Sequence, residues 1–341
     1  MQTFEQLRQT IRLELNGKST RIPSRRAKIS ALSEKLRRWQ QARRADKRYR
    51  IRTRGASLTI NESTLLKGGK SSLYLNVEVL GACVGTIEFS VGKAPAFSPA
   101  DSFRKIPVDG ADQRLSETLA VSLADRSWKA QWTKNQRDGD LLNYFLLSAR
   151  KSVSARNRQD ERVIQALLNR ALAGRKTGTR NAYTVFKGFR PVAPGAAMEI
   201  GTVLSATPSG KTGQADILVR HDAGADTEFL VFELKAPDGD DPAAALTQAI
   251  RYALSLESEA NVDVKTMAAY RHLFGSNAVA PLRFGAVAVV AEEHEADAAA
   301  ALRALGSTGG MSVGILLYQR VANWGEARHL PVDGLRFLGL D

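Results

Sequence analysis

Asp216, Glu233, Lys235, Gln248 and Tyr252 carry the strongest chemical signal in this chain. Asp216 follows the small-residue approach Gly213-Gln214-Ala215 and opens an apolar segment. Glu233 and Lys235 stand two apart at the end of a second apolar segment, FLVFELK, and Gln248 and Tyr252 stand four apart on the helix expected next. Alternation along a strand puts Glu233 and Lys235 on one face and Leu234 on the other. The intervening HDAGADT is polar and contains glycine, as a hairpin turn should. If the two segments pair antiparallel, Asp216 at the start of the first comes beside Glu233 and Lys235 at the end of the second.

Two carboxylates that close repel, and one takes a proton unless a cation intervenes. Mg²⁺ is the natural cation, with hard oxygen ligands and several retained waters. Asp216, Glu233 and the main-chain carbonyl of Leu234 would hold it, where it activates water and offsets charge on a phosphorus. Lys235 would orient or deprotonate that water and neutralise the pentavalent phosphorus. Gln248 would hydrogen-bond the nucleophile or a phosphate oxygen, and Tyr252 would pack against a nucleic-acid strand or hold Gln248. Glu161 is a further ligand candidate: on its helix it shares a face with Ile164 and Leu168, and a carboxylate on a core face needs a partner. Asp160 is adjacent, and a solvated acid at a helix start is the plain alternative.

Elements that could position these residues follow from the pattern around them. Residues 158–172 read as a helix, 183–189, 198–205, 213–219 and 228–235 as strands, and 242–258 as a helix entered through Asp241-Pro242. A strand at 283–291, a helix at 295–305 and a strand at 311–319 complete an α/β sandwich around a mixed sheet. Upstream, LYLNVEVL and ACVGTIEFSV alternate as strands around a turn at Gly81, 94–110 reads as a loop and 114–124 as a helix. The 341 residues allow about two domains. A boundary between Arg137 and Ser154 divides the chain into 1–150, a basic α+β recognition domain, and 151–341, the catalytic domain.

Net charge is +14, and its placement is informative: residues 1–55 hold seventeen Lys/Arg against four Asp/Glu, while the remainder is nearly balanced. Such a segment suits a polyanion, because neutralised phosphates release counterions. Phe4, Leu7 and Ile11 mark one helix, stopped at Asn16-Gly17. From Pro23-Ser24 a second carries the apolar stripe Ile29, Leu32, Leu36 and Trp39. Its other faces carry Arg25, Arg26, Lys35, Arg37, Arg38, Arg43 and Arg44, the candidate phosphate contacts, although a membrane-surface or partner helix would look much the same. KRYRIRTRG, at 47–55, reads as a basic strand. Trp128 and Trp132 lie among basic residues and could stack bases, although a pair at this spacing is more often core. The single cysteine, Cys83, excludes an intrachain disulfide and a cysteine-based zinc site, and the four histidines show no ligand spacing. No apolar run approaches the roughly 20 residues needed to span a bilayer, so a cytoplasmic protein is expected. Ser209-Gly210-Lys211-Thr212 is like the tail of a nucleotide-binding loop but precedes a strand, not a helix.

The set resembles the PD-(D/E)XK nuclease superfamily. Asp216, Glu233-Leu234-Lys235 and Glu161 match its acid, acid-X-lysine and upstream helix glutamate in order, and Gln248 to Tyr252 is similar to the QxxxY motif of its RecB-like branch. The superfamily's usual proline before the first acid is replaced by Ala215. The ELKAP stretch also looks like nuclease domains of Shedu-type phage-defence proteins and type I restriction subunits. The resemblance implies a restriction-endonuclease-like mixed sheet flanked by helices, Mg²⁺ with Mn²⁺ as a substitute, and hydrolysis of DNA in phage defence or restriction. A homodimer would suit duplex cleavage, and a partner protein could control the site. The rivals are a catalytically degenerate DNA-binding or scaffold protein with the same fold, and cleavage of RNA.

Overall fold

The computed structural model describes residues 2–18, 21–45, 57–61, 72–90, 96–103, 130–131, 136–154, 161–172, 184–192, 197–202, 204, 213–223, 226–236, 238–239, 241–275, 281–322, 327, 330–331 and 334–340. The strand expected at 47–55, the helix at 114–124, Trp128, Trp132 and the loop at 209–212 lie outside the described residues, as do the side chains of Arg43 and Arg44.

Thr3 starts the chain's first helix, α1 (Phe4–Gly17), through a reciprocal cap: its side chain accepts from the Gln6 N–H while the Gln6 side chain accepts from the Thr3 N–H. Phe4, Leu7, Ile11 and Leu15 form its buried stripe. On α2 (Ile22–Ala45) the expected stripe Ile29, Leu32, Leu36 and Trp39 is buried. Strands β1 (Ser57–Asn61), β2 (Ser72–Val79), β3 (Ala82–Ser90), β4 (Ala96–Pro99) and β5 (Ala130–Gln131) follow. The β2–β3 hairpin turns through Leu80 and Gly81, both at positive φ (48° and 75°), which matches the right-handed twist of the strands it joins. Residues 96–99, expected within a loop, pair with β3, because Phe97 is a fully buried aromatic beside Phe145.

One helix, α3 (Gln136–Ser154), runs through the expected domain boundary. Helix α4 (Glu161–Leu172) then leads to β6 (Phe189–Pro191), β7 (Ala197–Gly201), β8 (Gln214–Ala215), β9 (Ile217–Ala223) and β10 (Asp226–Leu234). Residues 184–186 form a 3₁₀ turn instead of the start of a strand; Gly188, at φ 89°, delays the strand to Phe189. Helix α5 (Pro242–Ala260) begins as expected, with the Asp241 carboxylate accepting from the Ala244 N–H at 2.7 Å. Helix α6 (Val264–Phe274), β11 (Arg283–Ala291), α7 (Glu295–Leu305), β12 (Val313–Tyr318) and β13 (Arg336–Leu338) complete the order.

The described strands form two sheets. The first, β5-β4-β3-β2-β1-β7-β8, is antiparallel except where β1 and β7 pair in parallel, so strands from the second half of the chain extend a sheet built by the first. The second, β13-β12-β11-β10-β9-β6, is mixed: β10, β11 and β12 run parallel, and β9 and β13 flank them antiparallel. Val313 to Tyr318 and nearly all of β11 are buried, as befits strands covered on both faces. Helix α5 packs on β10 and β11 and so carries Gln248 and Tyr252 toward the end of β10. The molecule is thus a mixed α/β fold: N-terminal helices and a largely antiparallel sheet, then a mixed six-stranded sheet packed with helices. Among the described residues no helix is long and apolar enough to cross a membrane.

Candidate active site

The hairpin of β9 and β10 has the expected register. Phe232 lies opposite Ile217, so the ladder's next step brings Asp216 to the end of β10. There the Asp216 carboxylate accepts from the Leu234 N–H at 2.9 Å. The Lys235 ammonium donates to Glu233 Oε1 at 3.2 Å and to Gln248 Oε1 at 3.1 Å, and Gln248 Nε2 donates to the Tyr252 hydroxyl at 3.1 Å. One continuous line of polar contacts therefore joins the end of β10 to the first turns of α5. Glu233 is 3% exposed, and its Oε2 has no hydrogen-bond partner among the described residues.

Burial, then the charge of Asp216, pushes the Glu233 carboxyl well above the ordinary glutamate range, against the pull of Lys235. Burial on its own would release the proton of Lys235, but Glu233, with Glu161 and Asp216 behind it, outweighs that and holds the ammonium more firmly. Lys235 is therefore a fixed cation and hydrogen-bond donor. The Tyr252 phenol is pushed up to about 12, by burial first and by the Glu233 charge next.

No family model, curated protein or solved structure matches the chain. What the site can do must be read from its own residues. Its donors are hard oxygens, and a buried carboxylate oxygen without a partner is a position that a cation would satisfy. Among the described residues no three acidic, histidine or cysteine side chains already form a cage for a metal ion. An ion here would complete its shell with water and substrate oxygens, which is the habit of Mg²⁺ and not of a closed structural site. Glu161 lies at the start of α4, close enough to act on the charges of both Glu233 and Lys235.

Two residues that escape a sequence reading hold this arrangement. Gln165, one turn beyond Glu161, donates to the Asp216 carbonyl at 2.8 Å and so ties α4 to β9. The fully buried Tyr318 donates its hydroxyl to the Lys235 carbonyl at 3.1 Å, while the Lys235 N–H donates to the Val289 carbonyl at 3.0 Å. The main chain under the lysine is thereby held from two neighbouring strands. Spacing i+4 from Glu161 was the available signal for Gln165; Tyr318, 83 positions from Lys235, gave none.

Several expected nucleic-acid contacts are placed otherwise. Tyr252 is 2% exposed, and a Cβ on Gly213 would sit 2.3 Å from its hydroxyl, so it supports Gln248 and faces no strand of DNA. Arg25 is buried: its Nε donates to Glu259 Oε2 at 3.1 Å, and it also donates to the Gly201 carbonyl. Lys35 is buried too, and desolvation lowers its pKa. Both lie toward the protein because the apolar stripe of α2 turns their side of the helix inward. Arg26, Arg37 and Arg38 remain partly exposed, beside Asp263 and Glu34.

Proposed function

We propose that the chain is a Mg²⁺-dependent deoxyribonuclease of PD-(D/E)XK type, accepting Mn²⁺ in place of Mg²⁺, with its second sheet as the restriction-endonuclease-like core. The observation that carries this reading is the line Glu233–Lys235–Gln248–Tyr252 beside Asp216, ending in a buried carboxylate oxygen that lacks a partner among the described residues. Asp216, Glu233, Glu161 and the Leu234 carbonyl are the residues that would hold the ion. When bound, the ion supplies Lewis acidity toward a phosphate oxygen and lowers the pKa of a water.

The chain's own residues do the rest. The Lys235 ammonium orients the attacking water and offsets negative charge on the phosphate as the new O–P bond forms and the bond to the leaving oxygen breaks. Gln248, held by Tyr252, fixes the direction of Lys235. The exposed basic side chains of α2 supply sequence-independent attraction to DNA. Phage defence or restriction is the setting proposed, and a homodimer would place two such sites on a duplex.

The test is nicking of supercoiled plasmid. Wild-type protein should nick it with Mg²⁺ or Mn²⁺ and not with EDTA, and Asp216→Asn, Glu233→Gln and Lys235→Ala should each abolish nicking. A second reading, a DNA-binding scaffold with a degenerate site, is favoured by the lack of a ready three-carboxylate cluster among the described residues. It would show as DNA binding with no metal-dependent nicking.

A further inference from the structure

The helix that carries Gln248 and Tyr252 is gripped from the other end of the chain. Arg251, next to Tyr252, is 4% exposed and makes a two-pronged ion pair with Glu14 of α1, at 3.1 and 2.6 Å. Two turns on, Glu259 is 1% exposed and accepts from Arg25 of α2, from Tyr270 at 3.0 Å and from Ser255 at 2.8 Å. Arg26 pairs with Asp263 just beyond the end of α5. Residues 14, 25 and 26 thus meet 251, 259 and 263 in the same order, so α1 is tied to the middle of α5, and α2 to the end of α5 and the start of α6, by ion pairs of which Arg25–Glu259 is buried, Arg251–Glu14 part-buried and Arg26–Asp263 exposed.

The second wall around Tyr252 is anchored by the same helices. Arg25 also donates to the carbonyl of Gly201, at the end of β7. The next residue, Thr202, donates its N–H to the Gly213 carbonyl at 2.9 Å, and Gly213 is the backbone against which the Tyr252 ring lies. Tyr252 therefore sits between a helix fixed by Glu14 and a strand end fixed by Arg25. Bidentate carboxylate–guanidinium pairs set direction as well as distance, and a buried one resists sliding because displacement strands a charge.

We infer that Glu14 and Arg251 are positioning residues of the active site: the N-terminal helix pair sets the angle at which α5 presents Tyr252 and Gln248 to Lys235. The inference rests on the function proposed above only for its kinetic consequence. Its structural consequence is that the first helices complete the site and are not a detachable DNA-binding arm.

The experiment compares full-length wild type, Glu14→Gln, and the reversed pair Glu14→Arg with Arg251→Glu. In Mg²⁺-dependent nicking, Glu14→Gln should lower kcat on the order of tenfold with KM within about twofold, since small misplacements of a reacting group are costly in rate. The reversed pair should recover most of it. Independently of any nuclease activity, ultraviolet titration of the tyrosines reports on Tyr252, isolated by subtracting the same background carrying Tyr252→Phe. In wild type this phenol is held up at about 12. In Glu14→Gln it should titrate nearer the ordinary value of about 10; because the Arg251 charge itself lowers this phenol, the neutral pair Glu14→Gln with Arg251→Gln separates the two effects, a fall there reporting lost position and a rise reporting only the lost charge. Unchanged Tyr252 titration in Glu14→Gln overturns the inference, as does a lower melting temperature with kcat per folded molecule unaltered. If wild-type protein nicks no DNA, the nuclease reading fails and the titration alone decides the positioning role.

Discussion

Lys235→Ala is the most discriminating perturbation of stability. It removes the cation that lies 3.2 Å from a carboxylate only 3% exposed, whose other oxygen has no partner among the described residues. Breaking a buried pair ordinarily costs about 3–5 kcal/mol, because the remaining charge is stranded. Here Glu233 has an escape, since burial and Asp216 already favour its neutral form. Protonating an ordinary glutamate costs about 1.4 kcal/mol for each pH unit above roughly 4.3, hence about 4 kcal/mol at pH 7 and about 1 at pH 5. That is the ceiling on the electrostatic loss. In the variant the folded pKa of Glu233 rises still further above its unfolded value. The folded chain then holds the extra proton, and stability is intact below the unfolded pKa and is lost as pH rises toward the folded one. Urea unfolding in EDTA should accordingly show Lys235→Ala destabilised by about 2–4 kcal/mol at pH 7 and by no more than about 1–2 at pH 5, the remainder being lost packing of the lysine stem. Adding Glu233→Gln should remove the pH dependence. Equal losses at the two pH values, or no recovery in the double variant, would refute the electrostatic account of this site.

The other expectations concern metal, packing and nucleic acid. Mg²⁺ should raise the melting temperature more at pH 8 than at pH 6, because it competes with the proton whose affinity for Glu233 is enhanced, and Glu233→Gln should erase the effect in a thermal-shift titration. Gly213→Ala puts a methyl 2.3 Å from the Tyr252 hydroxyl and 2.4 Å from a ring carbon, so calorimetry should register a loss of about 1–3 kcal/mol. Tyr252→Phe should not rescue that variant, because the ring carbon clashes as well. Replacing Arg37 and Arg38 together by alanine should weaken duplex binding and flatten the slope of log K against log salt by about 2, measured by fluorescence anisotropy. An unchanged slope would move the DNA surface away from α2.

Much of the second sheet was legible because its strands are continuous apolar runs ended by polar residues. FLVFELK and FGAVAVVA can be little else than buried strands, and Asp241-Pro242 announces α5 with both a cap and a fixed φ. Helix α6 was missed although Asp263 caps it and Gly275 closes it, since VKTMAAYRHLF shows only a short apolar face. Strand β13, with three residues, is too brief for any periodicity. In the site, the pairing of Asp216 with the end of β10 followed from hairpin geometry, a local property. The burial of Tyr252 and Arg25 did not, because it depends on Gly213 and on Glu259, which lies 234 positions from Arg25. Helical position shows which side chains share a face; it does not say which face another part of the chain will cover.

The parallel contact between β1 and β7 bears on how this protein is made. During synthesis β1 emerges early, with β2 to cover one edge, and its other edge stays open until Ala197–Gly201 has left the ribosome. At roughly 5–20 residues per second that is a delay of about 7–28 seconds. An exposed edge in a nascent chain invites pairing with whatever strand is nearest, including the same strand of a neighbouring copy. Production at low temperature or with chaperone help should therefore raise the yield of usable material more than any stabilising change within the finished sheet, because the hazard precedes that sheet's completion.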